Sequence, residues 1–123
     1  MDKINLVRND TRPHLVLSLT DSQDNSVIDL SGAGTVVRLK IRKRGETTLK
    51  ETLSATKLPG VLNSDGTIDY TNMTAGAGGR CYFQWSESTL DEVGNYEGEI
   101  EITFADGVQT VYDLVKFKVR ADF

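Results

Sequence analysis

The sequence predicts an all-β sandwich or barrel, and three observations carry that prediction. Most segments between turn signals alternate apolar and polar residues with period 2, the pattern of half-buried strands. Turn residues recur at roughly 8–12-residue spacing. No segment keeps a helical period over a window of about 11 residues.

The elements follow in order. Leu15, Leu17 and Leu19 alternate with Val16 and Ser18. A polar turn over residues 21–26 leads to the short apolar segment Val27-Ile28-Asp29-Leu30, and Ser31-Gly32-Ala33-Gly34 turns the chain again. Val37, Leu39 and Ile41 share one face of the next strand, and Arg38, Lys40 and Arg42 share the other. Lys43-Arg44-Gly45-Glu46 reads as a hairpin tip, with a strand leaving it over residues 47–53. Pro59-Gly60 and Asp65-Gly66 place residues 55–65 in a loop, with a short strand at 67–71. Residues 74–79, with Gly76, Gly78 and Gly79, read as a flexible connection.

Cys81, Phe83 and Trp85 then point inward, against Arg80, Tyr82 and Gln84. Residues 86–93 are the one candidate for a helical turn, too short to hold as a helix alone. Tyr96, Gly98, Ile100, Ile102 and Phe104 form one face of a long strand, opposite Glu97, Glu99, Glu101 and Thr103. Asp106-Gly107 supplies a hairpin turn into the last strand. There Val115, Phe117 and Val119 point inward, and Lys116, Lys118 and Arg120 outward. The reading is a sandwich of about seven to eight strands.

Composition bounds the function. The 123 residues carry 14 basic and 18 acidic side chains, a net charge of −4. That length fits one domain over residues 1–123, with residues 1–13 as an extended N-terminal arm. No apolar run approaches the ~18 residues of a membrane span, so no membrane partner is expected. The N-terminus lacks the apolar stretch of a signal peptide. Cys81 is the single cysteine and cannot form an internal disulfide. A mildly acidic chain is a poor general nucleic-acid binder.

The charge is unevenly spread. Residues 35–50 hold Arg38, Lys40, Arg42, Lys43, Arg44 and Lys50 against Glu46, a net +5. Residues 86–106 hold seven acids and no base, a net −7. Like charges along one strand face repel unless neighbouring strands compensate. The row Glu97, Glu99 and Glu101 therefore belongs between the rows Arg38/Lys40/Arg42 and Lys116/Lys118/Arg120. These charged rows, together with Ile4 and Leu6 of the arm, are the candidate interface residues. The sharper expectation is that residues 1–10 extend onto a neighbour's sheet edge. Residues 55–66 and 74–79 are further candidate contact loops.

That order resembles the C, F and G strands of an immunoglobulin-like sandwich. The run Glu92-Val93-Gly94-Asn95-Tyr96-Glu97-Gly98 resembles the tyrosine-corner segment that opens strand F. The resemblance implies that Gly94 and Tyr96 are structural, with the Tyr96 hydroxyl bonded to nearby backbone. Gly98 stands where antibody domains carry a cysteine, so the chain resembles a disulfide-free Ig-like domain.

Across residues 9–120 the order of elements is also similar to the N-terminal domain of phage baseplate upper proteins and related small tail-associated proteins. The matching runs are Asn9-Asp10-Thr11-Arg12-Pro13, Leu15 to Asp21, Val27 to Ala33, Val37 to Lys43, Cys81 to Trp85 and Gly94 to Gly107. The resemblance implies a virion structural module of tail, baseplate or capsid, made in the host cytoplasm. It would act by multivalent contact with other virion proteins and copies of itself. It transfers no catalytic residues and no cofactor.

The residues themselves offer little other chemistry. His14 is the only histidine, and no Gly-x-Ser-x-Gly elbow accompanies it, so it reads as a strand-edge residue. Asn63-Ser64-Asp65-Gly66-Thr67-Ile68-Asp69 alternates oxygen ligands but lacks the glutamate that ends a Ca²⁺ loop. No metal site is expected. Gly76, Gly78 and Gly79 do not open a helix and are no phosphate cradle. The alternative function is a carbohydrate- or receptor-binding module, which would need exposed aromatic rings; Trp85 is expected in the core instead.

Overall fold

The computed structural model describes residues 4–86, 88–111 and 114–123. Among them run eleven strands and no helix. They are β1 (Ile4–Val7), β2 (Leu15–Ser18), β3 (Val36–Lys43), β4 (Glu51–Ser54), β5 (Thr56–Lys57) and β6 (Val61–Leu62). The rest are β7 (Ile68–Asp69), β8 (Arg80–Phe83), β9 (Gly94–Phe104), β10 (Gly107–Thr110) and β11 (Val115–Arg120). The larger sheet has the order β1-β11-β9-β3-β4, with β10 also beside β9; the smaller has the order β2-β8-β5; β6 and β7 form a separate hairpin.

The expected count of seven to eight strands is corrected to eleven. The stretch read as loop over residues 55–65 contains β5 and β6. The last strand is split as well. Gly107 sits opposite Phe104, and Val115 sits opposite Gly98, so the register shifts by two positions between β10 and β11. The Asp-Gly hairpin therefore feeds β10 before the chain rejoins β9 as β11. Residues 86–93, the candidate helical turn, hold one turn closed by Thr89 N donating to Ser86 O at 3.1 Å, with Glu87 outside the described residues.

Period-2 patterning sets which side of each strand is buried. Inward residues of both sheets form one apolar cluster that includes Leu15, Val37, Leu39, Ile41, Cys81, Phe83, Ile100, Ile102 and Phe117. Trp85 is 1 % exposed, as its parity predicts, and packs on Phe117 with ring centroids 4.9 Å apart. Its indole Nε1 donates to the Pro13 carbonyl at 2.8 Å, which satisfies the one polar atom of a buried tryptophan. Tyr96 also stacks on Phe117, with ring centroids 5.2 Å apart. Its hydroxyl donates to the Glu92 carbonyl at 2.6 Å. A Cβ on Gly98 would lie 2.5 Å from Leu39 Cδ1, so Leu39 fills the space over this glycine.

The N-terminal arm is also corrected. Residues 4–7 do not extend away from the fold but pair in parallel with β11 of the same chain, Ile4 opposite Phe117 and Val7 opposite Arg120. The physical reason is Leu6, which alternates into the core and is 3 % exposed. Met1, Asp2 and Lys3, the start of the predicted arm, lie outside the described residues. Residues 74–79 are not a loose connection either: Gly76, Gly78 and Gly79 are all buried. Gly76 N donates to Leu58 O at 2.9 Å, and Gly76 O accepts from Leu30 N at 2.8 Å.

Candidate functional site on the outer face of the larger sheet

Three strands place the charged rows side by side. Strand β9 lies between β3 and β11. The register sets Arg38 opposite Glu101, Lys40 opposite Glu99 and Arg42 opposite Glu97. On the other side Lys116 faces Glu97, and Lys118 faces Asn95. The predicted juxtaposition of acidic and basic rows is present.

The ion pairs are concentrated on one side. Arg42 Nη2 reaches Glu97 Oε1 at 2.7 Å, and Lys40 Nζ reaches Glu101 Oε2 at 2.7 Å, one register step diagonally. Arg38 then turns to the Thr103 hydroxyl at 3.5 Å, and Glu99 has no ion pair among the described residues. Lys43–Glu92 at 2.7 Å and Lys50–Asp91 at 2.6 Å extend the pattern to the turn before β9. Four of the five ion pairs among the described residues thus join the +5 block to the −7 block. Glu92, by hydrogen bonding first, holds the Lys43 ammonium above its ordinary range, and Asp91 does the same for Lys50. Lys116 and Lys118 form no ion pair among the described residues.

These pairs act on register more than on stability. A double-mutant cycle on Arg42 and Glu97, read by urea unfolding, is expected to give a coupling of about 0.2–1 kcal/mol. A coupling several times larger would show the pair to be a main stabiliser of the sheet.

A shallow depression of about 210 Å³ opens on this face, lined by Lys40, Arg42, Leu49, Glu97, Gly98, Glu99 and Leu114. It mixes both signs of charge with two leucines. Of the candidate interface residues, Arg38, Lys40, Arg42, Glu97, Glu99 and Glu101 stand together on this surface. Leu6 does not, because it is in the core, and Ile4 is half-buried against the same core.

Other polar groups have structural partners. Glu51 on β4 accepts from Ser86 Oγ at 2.9 Å and from the buried Thr89 hydroxyl. This cluster, which period-2 reading does not reveal, ties β4 to the turn before β9. His14 stacks on Tyr82 with centroids 5.4 Å apart and planes 9° apart. The described residues contain no group of three or more His, Cys, Asp or Glu arranged to hold a metal ion. No described helix is long and apolar enough to cross a membrane.

Burial pushes the Cys81 thiol up to about 11. Ellman's reagent at pH 8 is expected to leave it unmodified in the folded protein and to react fully in urea. Fast labelling of the folded chain would place Cys81 in an accessible environment.

The turns repeat one device. Asp24, Asp29, Asp65 and Asp69 each accept from the hydroxyl and the backbone N–H of the Ser or Thr two residues on. The hydroxyl bond first, then the N–H, holds each carboxyl below its ordinary value of 3.8. A folded value below the unfolded one adds stability above the unfolded value, lost as pH falls through the folded one. Unfolding free energy is expected to drop below about pH 4. The D24N/D29N/D65N/D69N variant, which keeps the Oδ acceptors, should show a flatter acid limb. An identical limb would deny these turns a part in acid unfolding.

No protein-family model matches the chain, and no curated protein matches it.

Proposed function

We propose that this chain is a structural module of a bacteriophage virion, in the tail, baseplate or capsid, with an immunoglobulin-like sandwich fold. It acts by multivalent contact with other virion proteins and with copies of itself. The observation that carries the reading is the Tyr96 hydroxyl on the Glu92 carbonyl at 2.6 Å, at the entry of a strand that runs between β3 and β11. A tyrosine corner opening the middle strand of a C-F-G order is an Ig-like arrangement. In that correspondence β3, β9 and β11 take the places of C, F and G, and β4 extends the sheet beyond C. Strands β2, β8 and β5 form the facing sheet. Leu39 packed over Gly98 stands in for the disulfide, in keeping with synthesis in a reducing host cytoplasm.

The link to phage tails rests on the resemblance of residues 9–120 to baseplate upper proteins. The charged face of the larger sheet supports it as a surface for repeated protein contacts. The carbohydrate-binding alternative gains nothing from Trp85, which is buried, or from His14 and Tyr82, which stack on each other.

Quantitative mass spectrometry of purified particles of the phage that encodes the chain tests the reading. The expected result is many copies per particle. Absence from particles, with a monomer that binds glycans, would overturn it in favour of the alternative.

A further inference from the structure

Charge on this chain is sorted by region. Residues 15–37 and 58–79 contain no lysine or arginine and carry Asp21, Asp24, Asp29, Asp65 and Asp69. Hydrogen bonds join the two stretches, with Leu30 N donating to Gly76 O at 2.8 Å. Hydroxyl and backbone N–H donors keep the Asp65 and Asp69 carboxyls ionised. The far side of the outer face is opposite in sign. Arg44, Lys116 and Lys118 have no carboxylate partner among the described residues. Arg120 donates to the Ala121 carbonyl and lies over the Phe123 ring.

Beside this basic strip, β1 and β11 leave a groove of about 380 Å³ lined by Asn5, Leu6, Val7, Lys118 and Arg120. The β6–β7 hairpin carries a matching surface. Leu62 is 46 % and Tyr70 53 % exposed, and Leu62 pairs with Ile68 across the hairpin. A Cβ on Gly60 would lie 2.6 Å from Ile68 and 3.1 Å from Tyr70, so the two side chains lie together over that glycine. Asp65 is in the turn joining the two strands, while Asp69, opposite Val61, alternates to the other face of the hairpin. An exposed aromatic with aliphatic neighbours and a charged rim is the composition of an interface centre.

We propose that this chain self-associates head to tail. The Leu62/Tyr70 surface of the hairpin of one copy docks in the Val7/Lys118/Arg120 groove of the next, with Asp65 of the hairpin turn against Lys116 and Lys118. Charge complementarity selects a second copy as the occupant. The acid that faces the strip is Asp65, in the same hairpin as the exposed tyrosine the groove would take. The hairpin surface and the groove are different patches, so the contact is heterologous and propagates into a ring or a filament. This inference rests on the multivalent reading above and names the self-contact within it.

Sedimentation of the full chain at 50 and 500 mM NaCl tests it. At low salt the protein is expected to associate with rising concentration, and the association should weaken at least about tenfold at high salt. K116Q/K118Q and S64K/D65N should each be monomeric, with unchanged circular dichroism; the asparagine keeps the turn acceptor. Mixing the two variants should restore association, because the intact hairpin of one meets the intact strip of the other. Tyr70→Ala should weaken association without changing charge. A wild-type chain that is monomeric at both salts overturns the proposal. So do variants that associate like wild type, or a mixture that stays monomeric. A monomeric chain still found in particles removes this contact and leaves the virion reading; an associating chain absent from particles does the reverse.

Discussion

Trp85→Ala is expected to destabilise the protein by about 3–5 kcal/mol, the largest single effect of any side-chain truncation here. Three losses combine. The indole is 1 % exposed, so its removal leaves a cavity in the core. The contact with Phe117 at 4.9 Å is lost. The Pro13 carbonyl loses the donor it has at 2.8 Å. Against a typical total of about 5–15 kcal/mol this is about a fifth or more of the stability. The melting temperature should fall by about 10–20 °C. Trp85 is the only tryptophan, so the measurement is circular dichroism and not fluorescence. Trp85→Phe keeps most of the volume and should lose about half as much or less. A Trp85→Ala variant within about 1 kcal/mol of wild type would mean that the two sheets do not close on this ring.

Gly79→Ala is expected to cost about 2–4 kcal/mol, out of proportion to one added methyl group. Gly79 has φ +75°, where an L side chain already costs about 1–2 kcal/mol. The rest comes from backbone. A Cβ there would lie 2.6 Å from the Leu19 carbonyl oxygen and 3.1 Å from that of Ile28. Neither atom can yield, because Leu19 N donates to Gly79 O at 2.8 Å and Ile28 N to Leu19 O at 3.0 Å. Gly45 supplies the control: its φ is +89°, and nothing lies within 4 Å of a Cβ there. Gly45→Ala should show the conformational cost alone, about 1–2 kcal/mol. Equal losses at the two positions, read by urea unfolding, would show that the Leu19 and Ile28 segments do not press on Gly79.

The strands with one clear face were legible from residue types. Val37, Leu39 and Ile41 against Arg38, Lys40 and Arg42 identify β3, because alternation means one side in the core and one in water. Opposed charge then places β9 beside β3, since three glutamates in a row need cations across the strand gap. Parity also places Trp85 and Cys81 inside.

The short strand expected at 67–71 is β7, but residues 55–65 and 74–79 differ from their reading for a physical reason. Two-residue strands such as β5 and β6 are too short to show a period, and β5 exists only through β8, distant in sequence. The three buried glycines looked like a flexible tract because glycine supplies both mobility and close approach, and only the neighbouring backbone tells which. The Glu51–Ser86–Thr89 cluster was invisible because its members come from segments far apart in the chain.

The sequence by itself determined an all-β chain, the inward residues of its long strands, and the neighbour relation of the acidic and basic rows. These follow from local alternation and from the sign of charge, which act wherever the strands meet. Tertiary structure alone decided the rest. It turned the N-terminal segment back onto β11, because one leucine found room in the core. It split the last strand by a two-position shift of register. It paired Glu101 with Lys40, one register step away, and not with Arg38 directly opposite. It also left Lys116 and Lys118 without an ion pair among the described residues, beside an open groove. That placement comes from the geometry of three strands together, and it is where the proposed contact between copies lies.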